Sequence, residues 1–334
     1  MNYFDFARKI LFYSQDEEPR DEVRIYIPED EMGFQIFGLD EIDWGDGTVD
    51  DLDHHTYALA GEYTIKYKGT LKWIERSDGW STYHECPFSN RHLILGANLE
   101  IGGIAEGAFY ECDNMTYCYF CDEMTEIPQF AFYRSGLQSI TIGKNIISIG
   151  EQAFFYCESL SSLTIESGSN LREIGESAFS GCSFTSITIP ASVTSIGSGA
   201  FSNSGLTSVS FAAGSRLTTL TDAFSYTNIS SIDLPSSIRV IEANAFNGCN
   251  YITSLTIPYG VERLEAGTFH CALLSSVTLP STLEEIAEYA FVSVPSLRSV
   301  SYGGTMASWY IIKKPNNYLP SGCVVHCTDG DIEY

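Results

Sequence analysis

Apolar residues return along this chain in two nested rhythms. The short one is an I-x-I alternation: Leu137, Ile140 and Ile142 repeat as Phe184, Ile187 and Ile189, and again as Ile252, Leu255 and Ile257. A period of two buries one face of an extended segment and exposes the other, so each step predicts a strand. Pro190, Pro235, Pro258 and Pro280 follow these steps; proline has no N–H to give to a ladder and ends the strand. The long rhythm is an aromatic anchor, Ala-Phe or once Thr-Phe: Phe109, Phe132, Phe154, Phe179, Phe201, Phe224, Phe246, Phe269 and Phe291, at intervals of 23, 22, 25, 22, 23, 22, 23 and 22 residues. Nine anchors so regularly spaced predict a solenoid. The V-x-x-I-G segment before each anchor predicts a second short extended or 3₁₀ stretch that turns the chain back. ESGSN (Glu166–Asn170) lengthens the 25-residue interval, and AAGSR (Ala212–Arg216) is a similar elaboration further on. One unit has too little apolar surface to stand alone. Stacked units align their Ile, Leu and Phe columns into one core, with parallel strands about 4.8 Å apart.

The units read close to L-T-S-I-T-I-P-x-S-V-T-S-I-G-x-x-A-F-x-x-C, and over residues 93–302 they resemble the BspA-type leucine-rich repeat. Gly304–Ile332 resembles the closing unit that follows such arrays. The resemblance implies a mainly β fold: a right-handed leucine-rich-repeat solenoid of about nine coils of 22–25 residues with parallel strands. Residues 303–334 would be its C-terminal cap. Upstream the grammar changes. VRIYIP, FQIFGL and EYTIKY read as strands, and Asp46-Gly47 is a tight-turn signal between them. The string DWGDGT…HTY…AGEYTI, within Asp43–Tyr67, is similar to the core motif of polycystic-kidney-disease-type (PKD) domains. It implies a small β-sandwich-like module over residues 21–70, of a kind that serves as a spacer or anchor. Residues 1–20 are then expected to be an anchoring segment. Residues 71–92, with Trp73, Trp80, Tyr83 and Phe88, are expected to be an aromatic junction capping the open end of the stack.

Composition narrows the function. Lys and Arg number 18 against 43 Asp and Glu, a formal net charge of −25 over 334 residues. So acidic a surface repels phosphate backbones and anionic lipid, so no nucleic-acid partner is expected. No run of about 18 apolar residues occurs, so no membrane insertion is expected either. Near the N-terminus the apolar stretch Ile10–Tyr13 is too short for a signal peptide, and an acidic segment follows it.

The chemical candidates thin out on inspection. Cys112, Cys157, Cys182 and Cys249 lie three residues past an anchor, where other coils place Ser135, Ser204, Thr227, Ala272 or Val294. That column asks for a small buried side chain rather than a thiol. Cys118 and Cys121 form a C-x-x-C, with His84, Cys86 and His92 upstream, but Cys118 falls on an inward strand position and the four-ligand zinc spacing is absent. Cys323 and Cys327 would form a local disulfide in an oxidising environment; otherwise Cys327 belongs to the closing-unit pattern. Asp43, Asp46, Asp50, Asp51 and Asp53 lack the spacing of a calcium loop, which favours turn-forming and solubilising roles. His55 and Tyr57 are expected to pack and hydrogen-bond within their motif. No metalloprotease, phosphate-loop or nucleophile-elbow motif is present, so neither a cofactor nor an enzymatic activity is expected.

The outward strand positions remain. One column is serine: Ser139, Ser162, Ser186, Ser208, Ser231, Ser254, Ser276 and Ser299. The next is Thr141, Thr164, Thr188, Ser210, Asp233, Thr256, Thr278 and Ser301, with Tyr117 and Tyr119 at the corresponding places of the earliest clear repeat. Short hydroxyl side chains keep a sheet soluble, and their uniformity carries little specificity. Tyr117, Tyr119 and Asp233 are the better contact candidates, because aromatic residues dominate interfaces. The expected function is a non-enzymatic adhesion-type protein, displayed at a surface and presenting this face to a host protein or glycan. One alternative is a bacteriophage virion decoration or fibre protein whose N-terminal module docks to the particle. The other, an enzyme with a non-local site, requires a cluster of titratable groups that the sequence does not reveal.

Overall fold

A computed structural model describes residues 21–27, 32–35, 41–51, 54–68, 74–77, 82–85, 94–99, 104–316 and 318–334. The expected anchoring segment, Trp73, Trp80, Phe88, Cys86 and His92 lie outside these residues. The fold is mainly β, a parallel-strand solenoid of about nine turns, and its one helix among the described residues is α1 (Met306–Ile311).

Among the described residues, nine strands, β1 (Asp21–Ile27), β2 (Met32–Gln35), β3 (Glu41–Asp43), β4 (Val49–Asp50), β5 (His54–Tyr57), β6 (Gly61–Lys68), β7 (Ile74–Ser77), β8 (Thr82–Glu85) and β9 (Ile94–Leu99), precede the coils, which open on β10 (Tyr117–Phe120). β2 pairs with β5 and β7 with β8, while the main sheet runs β10-β9-β1-β6-β3-β4. β10, the first strand of the coils, lies parallel to β9, and β9 lies antiparallel to β1. The N-terminal strands therefore continue the solenoid sheet and cover its first edge, which would otherwise offer unpaired backbone groups. Their core is Val23, Ile25, Ile42, Trp44, Tyr57, Ile65 and Tyr67, all buried. The DWGDGT turn is locked by its own side chains. Asp43 Oδ1 accepts from Gly45 N at 3.0 Å, Asp46 Oδ1 from Thr48 N at 3.0 Å, and Asp46 Oδ2 pairs with His55 Nε2 at 2.7 Å. His55 stacks on Trp44, and the Tyr57 hydroxyl donates to Trp44 O at 3.0 Å. Gly45 has φ +80°, and a Cβ there would sit 2.4 Å from Thr64 O, so no other residue fits.

Each coil then follows one plan. A front strand of up to four residues buries its alternate apolar side chains, as Ile140 and Ile142 or Ile187 and Ile189 do. At Pro190, Pro235, Pro258 and Pro280 the chain turns, each proline carbonyl accepting the N–H three residues on. A two-residue back strand follows, such as Glu173–Ile174 or Ser195–Ile196. The chain then rounds a corner at the anchor Phe. Anchor rings stack face to face at 5.0 Å between Phe154 and Phe179 and 5.5 Å between Phe179 and Phe201. The Phe154 and Phe179 N–H groups donate to the Ala178 and Ala200 carbonyls of the next coil. The residue two past the anchor is left-handed in nearly every coil, as at Arg134, Tyr156, Asn203 and Tyr226.

The column beyond that residue holds donors. Cys157, Cys182, Cys249 and Cys271 Sγ donate to the carbonyls of Phe132, Phe154, Phe224 and Phe246 of the preceding coils at 2.9–3.3 Å. Ser204 and Thr227 donate instead to their own anchors. The small-residue expectation therefore needs refinement: most members of the column also supply a hydrogen to a buried carbonyl. It needs one correction. Cys271 fills the column, while Ala272 is exposed. The turn after Phe269 lacks the left-handed residue of the other coils and reaches the interior one position sooner.

The glycine of V-x-x-I-G has a steric cause. A Cβ on Gly150, Gly175 or Gly197 would lie 2.4–2.6 Å from backbone nitrogen of the preceding coil. Where glycine is present, its N–H donates to the coil before, Gly175 N to Ile149 O and Gly197 N to Ile174 O. The back ladder runs unbroken from Glu126 to Ile196 and stops at the next coil, where Thr221 stands in the glycine's place. The Thr221 hydroxyl, rather than a backbone N–H, donates to Ile196 O, at 3.2 Å.

At the far end, front strand Ser299–Tyr302 pairs in parallel with Val324–Cys327, which turns back antiparallel into Gly330–Glu333. Helix α1 starts at Thr305, whose hydroxyl accepts from Ser308 N, and buries Trp309 under the last coil. Trp309 Nε1 donates to the Tyr334 hydroxyl at 2.9 Å, completing a lid over the stack.

Candidate binding surface

The front strands put every sequence-designated hydroxyl on one face. Thr141, Thr164, Thr188, Ser210, Asp233, Thr256 and Thr278 are all exposed, because alternation leaves them opposite the buried Ile, Leu and Val positions. Register aligns them across strands: Thr141 with Thr164, Thr188 with Ser210, and Thr256 with Thr278 and then Ser301. Thr188 Oγ1 and Ser210 Oγ are 2.8 Å apart and hydrogen-bonded. The column ends on His326, in register with Ser301 and paired with Asp331 at 2.9 Å. Sequence spacing assigned His326 to the cap alone; only the parallel pairing of the closing strand brings it into the face.

The two tyrosines part company. Tyr119 is 55% exposed. Tyr117 is half-buried, and its hydroxyl is hydrogen-bonded by Arg24 from β1. Register explains the meeting, since Arg24 and Tyr117 both align with Gly96 of β9, which has no side chain to separate them. Burial raises the Tyr117 phenol above its ordinary pKa, with Arg24 opposing the rise. Arg24 is also hydrogen-bonded to Glu62, so the network ties the N-terminal sheet to the first coil.

The front sheet is not continuous. Its strands form separate ladders, β10 with the N-terminal sheet, 139–142 with 162–165, 186–189 through 231–232, and 254–256 through the cap. The face has depth where ladders part. Between β10 and Ser139–Ile142 lies a cavity of about 240 Å³ lined by Cys118, Tyr119, Phe120, Cys121, Asp122, Met124, Thr141, Gly143, Asn145, Ile146 and Glu166. Asn145 Nδ2 donates to Asp122 O at 2.7 Å, and Lys144 N donates to Glu166 Oε2 at 2.9 Å, which fixes the rim. A shallower hollow of about 330 Å³ opens between the next ladders, lined by half-buried Leu163 and Ile165 with Thr164, Thr188 and Ser210. The structure thus gathers Tyr119 with Thr141, and Thr164 with Thr188 and Ser210. Asp233, Thr256 and Thr278 line neither recess. The repeat pattern does not single out Asp122, Asn145 or Glu166, although Glu166 opens the ESGSN elaboration that sets this coil apart.

The thiols of the corner are chemically quiet. Burial pushes Cys157 up to about 12 and Cys249 up to about 11, and it raises Cys182 and Cys271 further from reactivity. Cys121, Cys323 and Cys327 are free thiols. No three His, Cys, Asp or Glu side chains among the described residues gather as a metal site. No helix among them is long and apolar enough to cross a membrane.

Solved structures with similar architecture include the pneumococcal vaccine antigen PcpA, 19% identical over 79% of this chain and 72% of that one, with a TM-score of 0.47. A leucine rich cell surface protein of Faecalibacterium prausnitzii is 23% identical over 64% of this chain and 60% of that one, with a TM-score of 0.39. A leucine-rich repeat protein of Bacteroides ovatus is 17% identical over 85% of this chain and 98% of that one, with a TM-score of 0.33. No curated protein matches the sequence. The family model for the BspA type leucine rich repeat region matches residues 79–207 and 217–310, in 6 copies. With strands, corners and anchor spacing all in that pattern, the chain belongs to the BspA type leucine-rich-repeat family.

Proposed function

We propose that this protein is a non-enzymatic, surface-displayed binding protein of the adhesion type, and that its front strand face is the contact surface. BspA-like leucine-rich-repeat surface proteins are typically adhesion or protein-binding proteins. The observation that carries the reading is the set of exposed outward positions from Tyr119 through Thr278 to His326, aligned by strand register within each ladder and held on a buried core. Outward side chains set on a rigid sheet lose little freedom when they bind, which favours recognition over a broad area. The partner is a protein or glycan of a host surface or matrix. The N-terminal sheet acts as the mount for the coils, and residues 21–70, 71–92, 93–302 and 303–334 act as mount, junction, array and cap.

The test is a biolayer screen of the full chain against purified matrix proteins and an array of neutral and acidic glycans. Thr188→Lys/Thr256→Lys should weaken the best ligand at least tenfold. Glu173→Lys on the back strands should leave it within twofold. Equal affinity in all three proteins would refute the front face as the contact surface.

A further inference from the structure

The cavity beside Tyr119 has a composition unlike the rest of the face. Its floor is apolar, built from Met124 and Ile146, and one wall is the exposed Tyr119 ring. Its rim carries two carboxylates, Asp122 and Glu166, on separate coils. One Glu166 oxygen is occupied by Lys144 N–H, which orients the group. No ammonium or guanidinium lines the cavity. The two charged residues that line the recess are both acidic, and Lys144 lies between Gly143 and Asn145 in the chain but outside the lining.

We propose that this cavity receives a single lysine or arginine side chain of a basic protein partner. The apolar floor fits the methylene stem, as long cationic side chains lay their stems on apolar surface and keep the head polar. The head then sits between the Tyr119 ring face and the two carboxylates, where cation–π attraction and ion pairing act together. The molecule already uses such contacts internally: the Arg134 guanidinium lies 5.8 Å from the Tyr133 and Tyr156 rings, and the Lys314 ammonium 5.5 Å from Trp309. The formal charge of −25 steers basic partners toward the whole protein, and the cavity converts that general attraction into a located contact. The inference deepens the front-face reading and rests on it, since it names the partner as a basic protein rather than a neutral glycan.

The experiment is isothermal titration of the full chain at near-physiological salt with hexalysine, hexaserine and maltohexaose. Hexalysine should bind and the two neutral probes should not. Tyr119→Ala and Asp122→Asn/Glu166→Gln should each weaken hexalysine at least fivefold. Glu173→Gln/Glu176→Gln, which removes the same charge from exposed back and corner positions, should change it less than twofold. Circular dichroism melting of every variant confirms that each is folded. Equal weakening by both charge-removing pairs would mean diffuse attraction and overturn the cavity. Binding of maltohexaose in place of hexalysine would overturn the basic partner in favour of a glycan, as would no binding of hexalysine at all. If Thr188→Lys/Thr256→Lys loses a matrix ligand that Asp122→Asn/Glu166→Gln retains, the cavity inference fails while the front face stands.

Discussion

The Ala-Phe corner and the front strand face are drawn from the same repeat, yet they use it in opposite ways. At the corner, rings stack, N–H groups reach the next coil's carbonyls, and thiols or hydroxyls donate inward. On the front face the equivalent positions carry small hydroxyls, the ladder parts more than once, and recesses open where it does. One region spends the regularity of the repeat on cohesion. The other leaves it free to carry local differences such as Tyr119, Asp122 and Glu166. Along this corner seam, rings stack from Phe109 to Phe224 and again from Phe246 to Phe291, and where the stack breaks the Tyr226 N–H still reaches Asn247 O of the next coil.

Substitutions graded by size can break that contrast or sharpen it. The largest effect is expected at the seam: Phe179→Ala, in the middle of the ring stack, should cost about 3–5 kcal/mol in urea unfolding. A cost below about 1 kcal/mol, the size of an ordinary surface change, would deny the seam its role. Gly175→Ala comes next. Its Cβ would lie 2.6 Å from Glu151 N, so overpacking of about 1–3 kcal/mol is expected by the same measurement. Thr221→Gly is its counterpart and should be tolerated, because the glycine of the preceding coils already fits that geometry. The buried thiols give a pH signature. Their pKa values are raised in the folded state, so folding favours the protonated thiol and stability is lost as pH rises. Between about pH 9 and the folded values of about 11 for Cys249 and 12 for Cys157, unfolding free energy should fall. Each thiol contributes at most about 1.4 kcal/mol per pH unit. Urea titrations at pH 9, 10 and 11 should show a shallower fall in Cys157→Ser/Cys249→Ser. The smallest effect is expected on the front face, where Thr256→Ala should move stability by less than about 0.5 kcal/mol.

Much of this contrast is legible in the sequence. The Ala-Phe intervals fixed the number of coils, and the I-x-I alternation separated Ile187 and Ile189 from Thr188 correctly, because period-two burial is a local property. The hydroxyl face followed from the same reading. Features that depend on two coils at once were hidden. Cys271 reaches the donor column only because its turn lacks one left-handed residue, a backbone property that no spacing rule announced. Tyr117 is half-buried and hydrogen-bonded by Arg24, which is far away in sequence and is brought beside it through β9. The recess by Tyr119 needs the rim of one coil and the ESGSN turn of a later one, so neither segment alone signalled it. The ladder break at Thr221 is the converse case: one residue change visible in the sequence, whose meaning appears only when its hydroxyl meets Ile196 O.

The most direct test of the account places Thr188→Lys/Thr256→Lys and the wild type side by side, measuring affinity for the selected ligand together with the urea midpoint. The account predicts at least a tenfold loss of affinity with the midpoint unchanged. Retained affinity, or a midpoint lowered as far as that of Phe179→Ala, would contradict the division between a cohesive corner and a recognising face.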